Sequence, residues 1–344
     1  MRALIIGQGL AGSCMALELL GRGVDATIAD PNRVNNSTSL AAGLINPLVL
    51  KRMKKVWRAD EFIEYANLLY GKWEKELQCK WRQSVPVYRK FHDVAEQNRW
   101  MELSADLGLQ EYINPVIEDM PNAVHGNFGM GKVIHAGWFD TQSFMDDVRS
   151  LLRAKNDFHS AAIKAPDLHF DSSWLWNGAN YDFVVWANGT GVIEVPGFPT
   201  DALRPSKGEL LRLKLHEMWP TDAIIKAGVF ILPLGRKELR IGATYDHWDL
   251  EPGISEKGQN FLERQAADLI KVPYEIVGRE WGIRPTTKDR RPILGRHAES
   301  DRIYFFNGLG SRGVLMAPLL AKELADHIMD GVGLRPDVDV ARFY

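Results

Sequence analysis

The strongest constraint on this chain lies in its first thirty residues. An apolar run at residues 3–6 (ALII) leads into Gly7, Gly9 and Gly12, spaced as GxGxxG. Ala16, Leu17, Leu19 and Leu20 follow at helical intervals, and Gly23 stops the helix. Residues 24–30 (VDATIAD) then read as a second strand ending in Asp30. In this βαβ order each glycine has a physical task. Gly7 permits the tight turn, Gly9 lets backbone approach a pyrophosphate, and Gly12 allows the helix to pack closely on the strand. Leu10 and Ala11 open the helix, whose free N–H groups and positive dipole end face the phosphates. Asp30, followed by Pro31, stands where a carboxylate accepts from ribose hydroxyls. An acid there disfavours a 2′-phosphate; NAD and FAD both remain.

The rest of the composition narrows the setting. With 344 residues, 45% hydrophobic and 25% charged, the chain is long enough for two lobes with their own cores. A net charge of −2 gives no global field toward nucleic acid or anionic membranes. Cys14 and Cys79 form neither a disulfide framework nor a CxxC motif, which suits a reducing cytoplasm. The apolar start at residues 3–20 carries phosphate-binding glycines and no small-residue cleavage site, so it does not read as a signal peptide. No apolar run reaches the ~18–20 residues that a bilayer span requires. The expectation is a soluble, cytoplasmic protein with no membrane partner. Nine histidines without HxH or HExxH spacing predict no metal site.

The choice between NAD and FAD turns on residues 36–47 (NSTSLAAGLINP). Small residues crowd this segment, with Ser37 and Ser39 also readable as N-caps of a tight helix start. Together with four later segments it resembles the D-amino-acid oxidase/glycine oxidase family of flavoproteins. In that family a stretch similar to Ser39, Ala41, Ala42 and Gly43 runs along FAD. Residues 131–140 (GKVIHAGWFD) resemble the return into the cofactor domain, with an amphipathic helix over 141–153. Residues 181–191 (YDFVVWANGTG) resemble the strand and turn closing over the ADP half, with Asn188 and Gly189 as contacts and Ile163 nearby. Residues 203–209 resemble the opening of the substrate-domain sheet, continued by paired strands at 230–233 and 239–245. The resemblance spans residues 3 to about 331.

What the resemblance implies for chemistry is concentrated near the C-terminus. Residues 281–295 (WGIRPTTKDRRPILG) contain Gly282 and Arg284, where relatives place a flavin-side glycine and an arginine that clamps a substrate carboxylate. A guanidinium suits that task because its fork of donors pairs bidentately with a carboxylate. Residues 307–318 (NGLGSRGVLMAP) form a second glycine-rich loop before a helix expected over 319–329. Gly308, Leu309, Gly310, Ser311, Gly313 and Val314 would lie at the pyrimidine end of the flavin, where negative charge develops on reduction. The GSRG form of this loop is similar to the FAD domain of the bifunctional tRNA wobble-uridine modification enzyme. Arg312 is either a second substrate-facing cation or structural. Phe230 stands where glycine oxidase has a pocket tyrosine, and Tyr245 is a neighbouring replacement. No cysteine or histidine matches a covalent attachment position, so FAD is expected to be non-covalent.

The expected fold is α/β, α+β overall: a Rossmann-like FAD-binding domain from residues 1–50, 133–200 and 281–344. A mixed or antiparallel-sheet substrate domain would come from 51–132 and 201–280. A helix over 59–78, with Phe62, Tyr65, Ala66, Leu69 and Trp73 on one stripe, reads as core. The basic run 51–58 is either a solvated loop or an electropositive rim for an anionic substrate, RNA phosphate included. The function implied is oxidation of a small amine or amino acid of the glycine, sarcosine or D-amino-acid kind, by hydride transfer from carbon to flavin N5. The alternatives are oxidative removal of a carboxymethyl group from a tRNA wobble uridine, an NAD-dependent dehydrogenase, and a non-catalytic FAD protein.

Overall fold

The computed structural model describes residues 1–33 and 36–344. Its first sheet has six strands in the order Phe158–His159, Asp25–Ala29, Arg2–Ile6, Phe183–Trp186, Ile303–Asn307, Ile293–Arg296. The first five run parallel and the last is antiparallel. The strand Arg2–Ile6 explains why its sequence is uniformly apolar. Side chains alternate across a strand. Ala3 and Ile5 enter the core beneath the helices Leu10–Gly21, Ala59–Glu76, Thr141–Ala154 and Gly313–Asp330. Leu4 and Ile6 enter the core on the opposite face. A parallel sheet covered on both sides needs such a run. A small sheet of His169–Phe170, Trp174–Trp176 and Ala179–Tyr181 lies on that opposite side, a feature with no counterpart in the sequence reading.

The second large sheet has eight strands. Their order is Tyr274–Arg284, Ser206–Leu215, Glu238–Gly242, Phe230–Pro233, Ile224–Lys226, Val87–Lys90, Met130–Val133, Ile113–Glu118. Alternation again sorts the residues. Leu211, Leu213, Ile225 and Ile231 pack in the core that also holds Leu262 and Ala266 of the helix Glu256–Leu269. Leu210, Ile224, Phe230 and Leu232 face the other way.

Several boundaries differ from expectation. The strand Tyr274–Arg284 belongs to the second sheet throughout, so it runs past the expected division at 281. Met130–Val133 likewise stays in that sheet, while Gly137–Phe139 pairs with Leu44–Ile45 and Arg82–Gln83. The helix expected at 319 begins at Gly313 and contains Pro318. Proline lacks the N–H that would bond the carbonyl four residues back. The Val314 carbonyl instead accepts the Tyr70 hydroxyl at 2.9 Å, and the helix continues. In Ala59–Glu76 the stripe is core as expected, although Tyr65 is half-buried and donates to Glu18 at 2.8 Å.

Candidate active site

A cavity of about 1300 Å³ opens between the two large sheets and is walled by both. Its nucleotide end is built from turns. Gly7 has φ +105°, and a side chain there would collide with Ala187 and Asn188. A Cβ on Gly12 would strike the Gly7 carbonyl oxygen, so Gly12 serves helix packing and does not line the cavity. The helix Leu10–Gly21 is capped by Gly9, which has no side chain to offer. Thr38 supplies the cap from a distant segment: its Oγ1 accepts the Leu10 N–H at 3.1 Å. Ser37 and Ser39, expected as local N-caps or cofactor-side residues, do not make this bond, and Thr38 was not singled out by the sequence. Ser37 lines the cavity, whereas the Ser39 hydroxyl turns to the Asn36 carbonyl at 2.9 Å.

Asp30 sits at the end of the strand Asp25–Ala29 and lines the cavity with Pro31. Its carboxylate accepts the Gln8 N–H at 2.7 Å and the Asn32 N–H at 2.6 Å. Each oxygen keeps a lone pair for a further donor. Asn188 has a buried Oδ1 with no hydrogen-bond partner and lies in the same wall as Gly189 and Ile163. Gly189 has φ +60°, and a Cβ there would meet nothing within 4 Å. Asn307 ties the two turns together, donating from Nδ2 to the Gly189 carbonyl at 2.9 Å.

The segment 41–43 is pinned from behind. The indole of Trp138 donates to the Ala42 carbonyl at 3.0 Å, and the Phe139 N–H donates to the Gly43 carbonyl at 2.8 Å. Gly43 has φ +65° with no room for a Cβ against the Phe139 carbonyl. Ala41, Ala42 and Gly43 therefore present backbone to the cavity. Opposite them lie Gly282 and the loop Gly308, Leu309, Gly310, Ser311, running into Gly313 and Val314 at the start of the last helix. No side chain caps that helix end, which leaves its N–H groups and positive dipole directed at the cavity.

The remaining end is cationic. Arg284 closes the edge strand, paired in register with Ser206. Its side chain lies over Gly208, where a Cβ would overlap the guanidinium. The guanidinium donates to the Thr244 carbonyl at 3.3 Å and stands over the Tyr245 ring at 5.1 Å. Among the described residues no carboxylate pairs with it. Burial pulls its pKa down, with the Tyr245 phenol acting the other way. Arg312 donates to the Asn46 carbonyl at 3.1 Å, also without an acid, and burial lowers its pKa too. Tyr245 is 55% exposed at the mouth, its ring edge toward His247 at 5.1 Å. Phe230 lines the wall.

Lys226 is a wall residue that no motif announced. It ends a three-residue strand, and burial first, then Arg89 and Arg284, push its pKa down to about 8. The basic run 51–58 is partly neutralised: Lys55 pairs with Asp60 at 2.6 Å, and Arg58 with Glu61 and Glu323. Lys51 alone of that run lines the cavity. Among the described residues no cysteine or histidine does; Cys14 is in the helix-side core, its thiol pushed up to about 12 by burial. Among the described residues no cluster of three or more metal-ligating side chains occurs, and no helix is long and apolar enough to cross a membrane.

Turns shaped for close backbone approach, an orphaned acceptor at Asn188 and two helix N-termini at one cavity fit a flavin dinucleotide. Comparison with known proteins agrees. The profile of the family described as FAD dependent oxidoreductase matches residues 2–327. Glycine oxidase of Bacillus subtilis (strain 168) is 29% identical over 354 residues, covering 95% of this chain and 93% of that protein. The tRNA 5-methylaminomethyl-2-thiouridine biosynthesis bifunctional protein MnmC of Marinobacter nauticus is 23% identical over 357 residues, covering 94% of this chain. The chain spans about half the length of the bifunctional curated relatives it matches, 51% and 55% of them. Among solved structures, glycine oxidase from Geobacillus kaustophilus superposes with a TM-score of 0.79 at 20% identity, covering 99% of this chain and 98% of that one. With the profile matched along nearly its whole length, the chain belongs to the family of FAD-dependent oxidoreductases.

Proposed function

We propose that this chain oxidises the carbon–nitrogen bond of a small carboxylated amine, with FAD held non-covalently in the cavity between the sheets. The observation that carries the reading is Arg284, a guanidinium in the cavity wall with no acid of its own. A cation withdrawn from water is costly unless paired, and a substrate carboxylate supplies the pair. The catalytic set is Arg284 with Tyr245 and Arg312 beside it. The cofactor set is the glycine turns, Asp30, the segment 41–43 and the loop 308–314.

FAD, held by the glycine turns, Asp30, the segment 41–43 and the loop 308–314, would supply the hydride acceptor for the carbon beside nitrogen. The chain's part is placement. Arg284 fixes the carboxylate and so aims the adjacent carbon. Phe230 excludes water from the wall, and the uncapped helix at Gly313 places positive potential where negative charge develops. The amine must be neutral to lose hydride. With no histidine among the described residues lining the cavity, its proton leaves to solvent. Water then hydrolyses the imine to a carbonyl compound and an amine or ammonia. The two lobes, one built on each large sheet, divide the work into cofactor and substrate binding.

The likeness to the bifunctional tRNA-modifying protein supports a second reading, oxidative removal of a carboxymethyl group from a wobble uridine. The net charge of −2 and the internal pairing of Lys55 and Arg58 weigh against a large RNA footprint. The visible spectrum during anaerobic addition of glycine, sarcosine, D-amino acids and N-carboxymethyl amines tests the first reading. Bleaching near ~450 nm by a panel member is expected. Flavin bands that no small amine bleaches would defeat it in favour of the tRNA substrate.

A further inference from the structure

The cavity wall carries more cations than a single carboxylate requires. Lys226 pairs in register with Phe230 on one side and Arg89 on the other. Arg89 is already matched, its guanidinium 2.7 Å from Glu96. The Lys226 ammonium makes no hydrogen bond or ion pair with any described residue and stands 5.9 Å from the Phe230 ring centre. Strand alternation places it on the same sheet face as Ile224, the face that turns Phe230 and Leu210 toward the cavity.

The acids are elsewhere. Of the described residues lining the cavity only Asp30 and Glu194 are acidic. Asp30 is bound to the Gln8 N–H, and Glu194 ends the short turn Gly189–Glu194, both on the nucleotide side. The substrate end therefore holds Arg284, Arg312 and Lys226 with no carboxylate among them; Arg312 is tied to the Asn46 carbonyl at 3.1 Å, whereas the Lys226 ammonium has no such partner. Burial first, then the neighbouring Arg89 and Arg284, draw Lys226 down to about 8, so its charge is kept at neutral pH at a cost. A monocarboxylate on Arg284 leaves the ammonium uncompensated. A second carboxylate removes both costs at once.

We infer that Lys226 anchors a second carboxylate, so that the preferred substrate is a dicarboxylic amine gripped by Arg284 at one end and Lys226 at the other. This rests on the amine-oxidation reading for its chemistry, and the test is chosen not to depend on turnover. Thiodiacetate presents two carboxylates about a sulfur and has no amine to oxidise; (ethylthio)acetate is the matching monoacid. Dissociation constants for both are measured on the FAD-loaded protein from perturbation of the flavin bands. Tryptophan fluorescence, with Trp281 in the wall, gives a second readout.

The diacid is expected to bind about tenfold or more tighter, the worth of one charge-assisted hydrogen bond. That ratio should fall to near one in Lys226→Met and largely return in Lys226→Arg. A ratio near one in the unaltered protein overturns the inference without need of any variant, and so does a preference that survives Lys226→Met. Either result would leave amine oxidation standing. A clear diacid preference beside a flavin that no amine bleaches would instead count against oxidation alone.

Discussion

The buried position of the Arg284 guanidinium over Gly208 gives two variants that should behave alike for different reasons. Arg284→Ala removes the fork that pairs with the carboxylate. KM for the amine should rise at least about tenfold, the loss of a charge-assisted bond. FAD stays bound in that variant, and an unchanged KM would remove the clamp. Gly208→Ala leaves Arg284 in place but sets a methyl group where the guanidinium lies. The strand backbone tolerates alanine, so the arginine moves instead. Gly208→Ala should raise KM in the same direction with little loss of stability, and a large drop in the urea midpoint without a KM change would contradict this. Lys226 adds a pH dependence with a definite sign. Its pKa is lowered in the free protein to about 8, facing Arg89, Arg284 and the Phe230 ring. An anion favours the charged ammonium, so diacid affinity should be full below about 8 and decline as pH rises through it. The arginines keep their charge over that range. Titrating thiodiacetate affinity from neutral pH to about 9.5 checks the slope, and a flat profile would exclude Lys226 as the anchor.

The elements show why some of this was readable and some was not. The strand–turn–helix at the N-terminus and the loop before the last helix are local: their glycines, acids and apolar periods sit within a few residues of one another, and both were legible in the sequence. Thr38 was not, because it caps a helix that begins 28 residues earlier in the chain. Lys226 and Gly208 were not, because their facing is set by register across strands that sequence alone does not align. The last helix was expected from 319, yet it starts at Gly313 and runs through Pro318. It continues because a hydroxyl from another helix replaces the missing bond: Tyr70, in Ala59–Glu76, donates to the Val314 carbonyl. Removing that donor with Tyr70→Phe leaves a buried carbonyl unsatisfied and should cost ~1–3 kcal/mol in urea unfolding. Pro318→Ala restores an N–H to the same carbonyl. In that background the cost of Tyr70→Phe should shrink by about half or more, a coupling that a double-mutant cycle reads directly. Additive costs would mean the hydroxyl serves packing alone.

At the scale of the whole molecule, the cavity is the meeting surface of two sheets with separate cores. Its walls draw on residues from Ile6 to Leu315, so a dinucleotide bound there would touch segments from both ends of the chain. Composition set the scale for two lobes, and the resemblance in motif order gave their identity; the closeness of the lobes emerges only once the strand Tyr274–Arg284 is seen to carry Gly282 and Arg284 from the second sheet to the flavin side. A ligand that binds only the folded state stabilises it by mass action, ~2.7 kcal/mol at a hundredfold excess over Kd. FAD added to the cofactor-free protein should therefore raise the thermal midpoint in a concentration-dependent way. ADP, reaching only the glycine turns and Asp30, should raise it less, and NAD, which shares that ADP half, should raise it no more than ADP does. Hydrogen exchange then separates two ways of holding the cofactor. If both lobes contribute, FAD slows amide exchange in Arg2–Ile6 and Phe183–Trp186 and also in Ser206–Leu215 and Tyr274–Arg284. Protection confined to the six-stranded sheet would mean that the nucleotide lobe binds alone, and that the substrate wall with Arg284 and Lys226 is not organised by the flavin.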